Sequence, residues 1–123
     1  MTAKRILIVE DQPDIRKLIR MTLEFSGYEL HEAENGDRGY EMALALNPDL
    51  MLLDVMMPGS MDGLQVCRKL KDDPAHAGIH IVLLTARGQK VDVDAGAAAG
   101  SNAYLIKPFS PLELMDMADH VLQ

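Results

Sequence analysis

The sequence predicts an α/β protein: a doubly wound, five-stranded parallel sheet with five helices, in a single domain spanning residues 1–123. Three observations carry that expectation. Five short apolar runs rich in branched residues alternate with segments whose apolar residues recur at helical spacing. Strict alternation needs crossover helices that return the chain to the same edge, which makes the strands parallel and covers the sheet on both faces. A chain of 123 residues with 48% hydrophobic content builds one core and has no room for a second. At this length folding buries roughly two-thirds of the unfolded surface, so neither disulfides nor a structural metal is required.

The elements follow in order. Ile6 to Val9 is almost wholly apolar, as a strand buried on both faces must be. Gln12-Pro13-Asp14 then opens a helix with Ile15, Leu18, Ile19, Thr22 and Leu23 on one side, closed at Gly27. The second strand, Tyr28 to Ala33, carries Glu29, His31 and Glu32 and reads as an edge. Asn35-Gly36-Asp37 starts the second helix, which stops at Asn47-Pro48. Leu50 to Leu53 is a second central strand, and Met61-Asp62-Gly63 starts a helix whose apolar side holds Leu64, Cys67 and Leu70 up to Pro74. Ile79 to Leu84 is the fourth strand. The segment Gln89 to Gly100 is the weakest helix, because Gly96 costs about 0.5 to 1 kcal/mol relative to alanine, and it is a candidate mobile element. Ala103 to Ile106 and a helix starting at Ser110-Pro111 complete the chain.

Charge and cysteine usage remove several function classes. A net charge of -7, from 12 basic and 19 acidic residues, repels phosphate backbones and anionic lipid, so direct nucleic-acid and membrane binding are not expected. The lone Cys67 excludes an internal disulfide and a Cys-rich zinc site and fits a reducing compartment. Four apolar residues before Glu10 are too few for a signal peptide, and no run approaches the ~20 residues of a membrane span, so a cytoplasmic location is expected. His31, His76, His80 and His120 lack metal-ligand spacing, and the methionines at 51, 56, 57 and 61 read as packing.

The acidic residues fall in a telling place. In open parallel sheets a ligand site forms beyond the carboxyl ends of the strands. Those ends carry Glu10-Asp11, Asp54, Thr85-Ala86 and Lys107-Pro108. If the first and third strands are neighbours, three carboxylates meet. Two like charges ~4 Å apart repel by about 4 kcal/mol at an effective dielectric near 20, and one lysine cannot neutralise three acids. A divalent cation balances them, and hard oxygen donors at a site open to a phosphoryl group favour Mg2+. Asp54 is then a nucleophile able to form an acyl phosphate, with the Thr85 hydroxyl and Lys107 ammonium offered to phosphoryl oxygens. Singly, these residues have duller readings: Asp11 or Asp14 as helix caps, Thr85 as a strand-end hydroxyl, Lys107 as a solvated cation and Tyr104 as ordinary packing.

Together, Ile8-Val9-Glu10-Asp11, Leu52-Leu53-Asp54-Val55-Met56-Met57-Pro58, Leu83-Leu84-Thr85-Ala86 and Ala103-Tyr104-Leu105-Ile106-Lys107-Pro108-Phe109 resemble the receiver domain of two-component response regulators over essentially the whole chain. The resemblance implies a flavodoxin-like fold with strand order 2-1-3-4-5. It also implies that Asp54 is the phosphorylated residue, and that Asp11, Asp54 and the Met56 carbonyl hold Mg2+, with Glu10 acting mainly through water. Thr85 and Tyr104 match the family's switch pair. Lys107 matches the phosphate-contacting lysine, followed by a bond to Pro108 that is often cis in relatives.

A sensor histidine kinase or phosphotransfer protein is the implied donor. The implied readout is an output domain or downstream protein, with a homodimer on phosphorylation as a further implied partner. No enzyme activity is expected beyond the domain's own phosphorylation and dephosphorylation. Two departures stand out. Glu10 replaces the commoner aspartate, and one extra residue between Pro58-Gly59 and Asp62-Gly63 reshapes the loop beside Asp54, with phosphoryl lifetime the property affected. Three other classes fit less well. An aspartyl-phosphate phosphatase or phosphotransferase lacks its second acid at Met56, a nucleotide or flavin module lacks a glycine-rich first turn, and a phosphorylation-independent adaptor does not need the full acceptor set.

Overall fold

The apolar runs become five strands in a computed structural model of the protein, described over residues 3–57, 59–86, 94–95 and 97–123. They are β1 (Arg5–Val9), β2 (Glu29–Ala33), β3 (Leu50–Asp54), β4 (His80–Ala86) and β5 (Ala103–Lys107), all parallel in the order β2-β1-β3-β4-β5. Four α-helices lie on the two faces: α1 (Pro13–Leu23), α2 (Gly36–Leu46), α3 (Gly63–Lys71) and α4 (Pro111–Leu122), with a short 3-10 turn at Glu24–Ser26. Five α-helices were expected from the sequence, and four are described. The missing one corresponds to Gln89–Gly100, of which residues 89–93 and 96 lie outside the described residues, while 94–95 and 97–98 are helical.

Side-chain alternation along the strands divides the interior in two. Odd-numbered residues such as Leu7, Val9, Met51, Leu53, Ile81 and Leu83 pack beneath α2 and α3 with Ala43, Val66, Cys67 and Leu70. Even-numbered ones such as Ile6, Ile8, Leu50, Leu52, Val82 and Leu84 pack beneath α1 and α4 with Ile19, Leu23, Leu114 and Ala118. Each fully buried Leu or Ile contributes about 1.5 to 3 kcal/mol relative to exposure, so the sheet's two faces supply most of the stabilisation. β1 and β3 are central and apolar for this reason.

β2 is the edge expected from its charges. Glu29 pairs with Arg5 at 3.0 Å and with His31 at 2.8 Å, and Glu32 pairs with Arg16 at 3.3 Å and Arg20 at 2.6 Å. This strand starts at Glu29, one residue later than the sequence pattern suggests, because pairing with β1 begins at Arg5 opposite Glu29; the Tyr28 hydroxyl donates to Asp119 of α4 at 2.5 Å. β4 runs on to Ala86, which places Thr85 inside the strand. Cys67 is buried, and desolvation pushes its thiol up to about 11, as befits an inert core residue. Among the described residues no helix is long and apolar enough to cross a membrane.

Candidate acceptor site at the carboxyl edge of the sheet

Register brings the polar strand ends into one row. Val9 pairs with Leu53 and Asp54 with Leu84, while Ala86 pairs with Lys107, so Glu10, Asp54 and Lys107 all emerge at the same end of the sheet. Glu10 is fixed by its backbone: its N–H donates to the Ala33 carbonyl at 3.1 Å, and its carbonyl accepts from Arg16 Nη1 at 2.7 Å. At Asp54 the chain leaves β3 in a tight path, with Val55 N donating to Leu84 O and Gly63 N donating to Val55 O, both at 3.0 Å. Position 63 demands glycine, since a Cβ there would collide with the Asp54 carbonyl. Lys107 ends β5, its peptide bond to Pro108 is cis, and Phe109 is buried behind it.

Oxygen atoms of Glu10, Asp11 and Asp54 all lie within 4.8 Å of one another. Lys107 Nζ reaches Glu10 Oε1 at 2.6 Å and Asp54 Oδ1 at 3.1 Å. The first contact is an ion pair whose approach angle is not that of a hydrogen bond, so the buried Oε1 takes no aligned hydrogen bond among the described residues. Glu10 Oε2 accepts from the Gln12 N–H at 3.2 Å. A depression of about 260 Å3 opens above these groups, lined by Asp11, Gln12, Asp54, Val55, Met56, Leu84 and Lys107. A separate recess between Arg16, Glu32 and Arg38 contains none of the candidate site residues.

The charges are unbalanced. Burial raises the Asp54 pKa to about 8, assisted by the neighbouring Glu10 carboxylate, which accepts from the protonated acid and repels the ionised one, with Lys107 pulling the other way. For Lys107, burial favours the neutral amine, but the close Glu10 and Asp54 carboxylates outweigh it and raise its pKa. One ammonium among three carboxyls leaves an acidic excess. The donor set is all oxygen, closely spaced and short of one cation, so these residues could hold a hard divalent ion.

Of the residues singled out from the sequence, Glu10, Asp11, Asp54, Met56 and Lys107 come together. Glu10 is fully buried beneath the depression, Asp54 is 5% exposed and the Met56 side chain stands 73% exposed on its rim. Thr85 lies buried at the end of β4. Tyr104 does not line the depression: it lies on β5, 47% exposed, three positions before Lys107. Sequence reasoning missed Gln12 and Arg16, which hold the side chain and the carbonyl of Glu10. Only their positions within the first turn after Glu10 hinted at it.

Comparison with known proteins adds the family. Residues 6–119 match the model of the response regulator receiver domain. The chain is 45% identical over 111 residues to the transcriptional regulatory protein ResD of Bacillus subtilis, covering 90% of this chain and 45% of that protein. It is 42% identical over 123 residues to the phosphate regulon transcriptional regulatory protein PhoB of Pseudomonas aeruginosa, covering all of this chain and 53% of that protein. The chain thus spans about half the length of these curated relatives. Among solved structures, the chemotaxis response regulator CheY4 of Vibrio cholerae superposes with a TM-score of 0.90 at 29% identity, over 98% of this chain and 100% of that one. The signal receiver domain of a histidine kinase from Syntrophus aciditrophicus superposes with a TM-score of 0.89 at 33% identity, over 98% and 90%.

Proposed function

This chain belongs to the response regulator receiver domain family, and we propose that it works as a phosphorylation-dependent signalling switch with Asp54 as the phosphoryl acceptor. The observation that carries the reading is the buried Asp54 carboxyl held between Glu10, Asp11 and Lys107 at the floor of an open depression. The fit of the oxygen donors argues for Mg2+, held by Asp11, Asp54 and the Met56 carbonyl, with Glu10 behind them. When bound, the cation supplies charge neutralisation for the acids and for an incoming phosphoryl group.

The protein's own groups do the rest. Asp54 attacks a phosphoryl phosphorus as its carboxylate, the bond to the donor breaks, and an acyl phosphate remains on Asp54. Lys107 faces a phosphoryl oxygen from across the depression, and the Thr85 hydroxyl offers a hydrogen bond to another. The added charge beside Thr85 and Lys107 then alters the ends of β4 and β5, where Tyr104 presents its ring to solvent. This is self-modification rather than turnover of a metabolite. A sensor histidine kinase or phosphotransfer protein is the donor in this reading, and an output domain, a downstream protein or a second copy of the chain reads the altered face. The whole of residues 1–123 acts as the receiver, in the cytoplasm.

The test is a change of surface on phosphorylation. Adding a small acyl phosphate donor with Mg2+ should alter amide hydrogen exchange across Ala103–Lys107, while the same treatment of Asp54→Asn leaves it as it was. Identical responses from the two proteins would refute the switch.

A further inference from the structure

We infer that Asp37 is a positioning residue for the acceptor site, acting by tethering the loop between β3 and α3 through Ser60; the inference rests on the receiver reading above. Ser60 Oγ donates to Asp37 Oδ1 at 2.6 Å, and the Ser60 N–H donates to Oδ2 at 3.4 Å. Beside it, Gly36 backs onto the next loop residue so closely that any Cβ would collide with the Met61 carbonyl. Two consecutive residues in the first turn of α2 therefore grip two consecutive residues at the crown of the loop.

The roots of the loop are held separately, by Val55 N on Leu84 O and Gly63 N on Val55 O. Met56 lies between roots and crown. Its side chain is 73% exposed, so packing of that side chain does little to hold its backbone. Met57 and Met61 are only partly buried against the core. This is also where the sequence has one residue more than the common form, and a longer loop costs more entropy to order. A carboxylate accepting a charge-assisted bond from Ser60 offsets that cost from outside the loop. Asp37 touches none of the reacting groups, so its effect passes through the loop that carries Met56 and forms one wall of the depression.

A simpler role for Asp37 is that of an acid favouring the N-terminus of α2, and the experiment separates the two. Ser60→Ala removes the shorter bond of the tether, leaves only the long 3.4 Å bond from the backbone N–H, and does not alter α2. It should weaken Mg2+ binding, measured by titration calorimetry, by about tenfold, the lower end of what loss of a supporting partner costs at a metal site. The acyl phosphate should decay faster by a similar factor. Asp37→Ala should do the same and lower the melting temperature as well, while Asp37→Asn, which keeps an acceptor oxygen for Ser60, should restore most of the Mg2+ affinity. If Ser60→Ala binds Mg2+ and holds its phosphoryl group like the unaltered protein, the inference is overturned while the receiver reading stands. If the unaltered protein neither binds Mg2+ nor accepts a phosphoryl group, both are overturned together.

Discussion

Asp54 is buried where a carboxylate is costly, and the cost has a measurable sign. Its ordinary pKa of 3.8 rises to about 8 through burial and the neighbouring Glu10. The folded, metal-free protein therefore keeps a proton that the unfolded chain releases over this range. Stability from this group is greatest below pH 4, falls as pH rises, and levels off above pH 8. Asp54→Asn removes that titration and changes little else. In metal-free urea unfolding at pH 8 the variant should exceed the unaltered protein by about 2 kcal/mol, a discounted fraction of the 1.36 kcal/mol per pKa unit, and the gap should narrow steadily as pH falls and close only near the unfolded value of 3.8. A gap independent of pH would contradict the burial argument. At this scale the sequence disclosed the acids and the lysine, because Glu10, Asp11, Asp54 and Lys107 each end an apolar run. It could not disclose that Lys107 lies nearer to Glu10 than to Asp54, since that distance depends on three strands far apart in sequence and on the extra methylene of Glu10.

Among the elements, local side chains decide where helices begin. Asp62 accepts from the Gln65 N–H at 2.9 Å while Gln65 Oε1 accepts from the Asp62 N–H at 2.9 Å, a complete capping box at the start of α3. Ser110 and Glu113 repeat it at α4. The first helix differs: Gln12 makes no capping bond, and Pro13 in the first turn sets the entry instead. Asp62→Ala should therefore cost about 1 kcal/mol in urea unfolding, whereas Gln12→Ala should be close to neutral. Equal losses at the two positions would show that the caps do not determine these boundaries. All four starts were legible in the sequence because capping chemistry is local. The Asp37 to Ser60 tether was not, because its partners are 23 residues apart and neither belongs to an apolar pattern.

For the whole molecule, alternation in the sequence dictated parallel strands and two covered faces, but not which strands are neighbours. That order came from the resemblance to a family, and the register now gives its consequence: β1 and β3 side by side, with Glu10 and Asp54 at one level. The same register sets β4 and β5 beside them, with Thr85 opposite Ile106 and the half-exposed Tyr104 three positions before Lys107 on the same strand. The central claim is a covalent one, and peptide mapping by mass spectrometry tests it most directly. After exposure to a small phosphodonor with Mg2+, and reduction of the acyl phosphate with borohydride, the protein should carry a single modification at Asp54, lost when Mg2+ is chelated. A modification at any other residue, or none at Asp54 under conditions where the protein is folded and Mg2+ is present, would contradict the account.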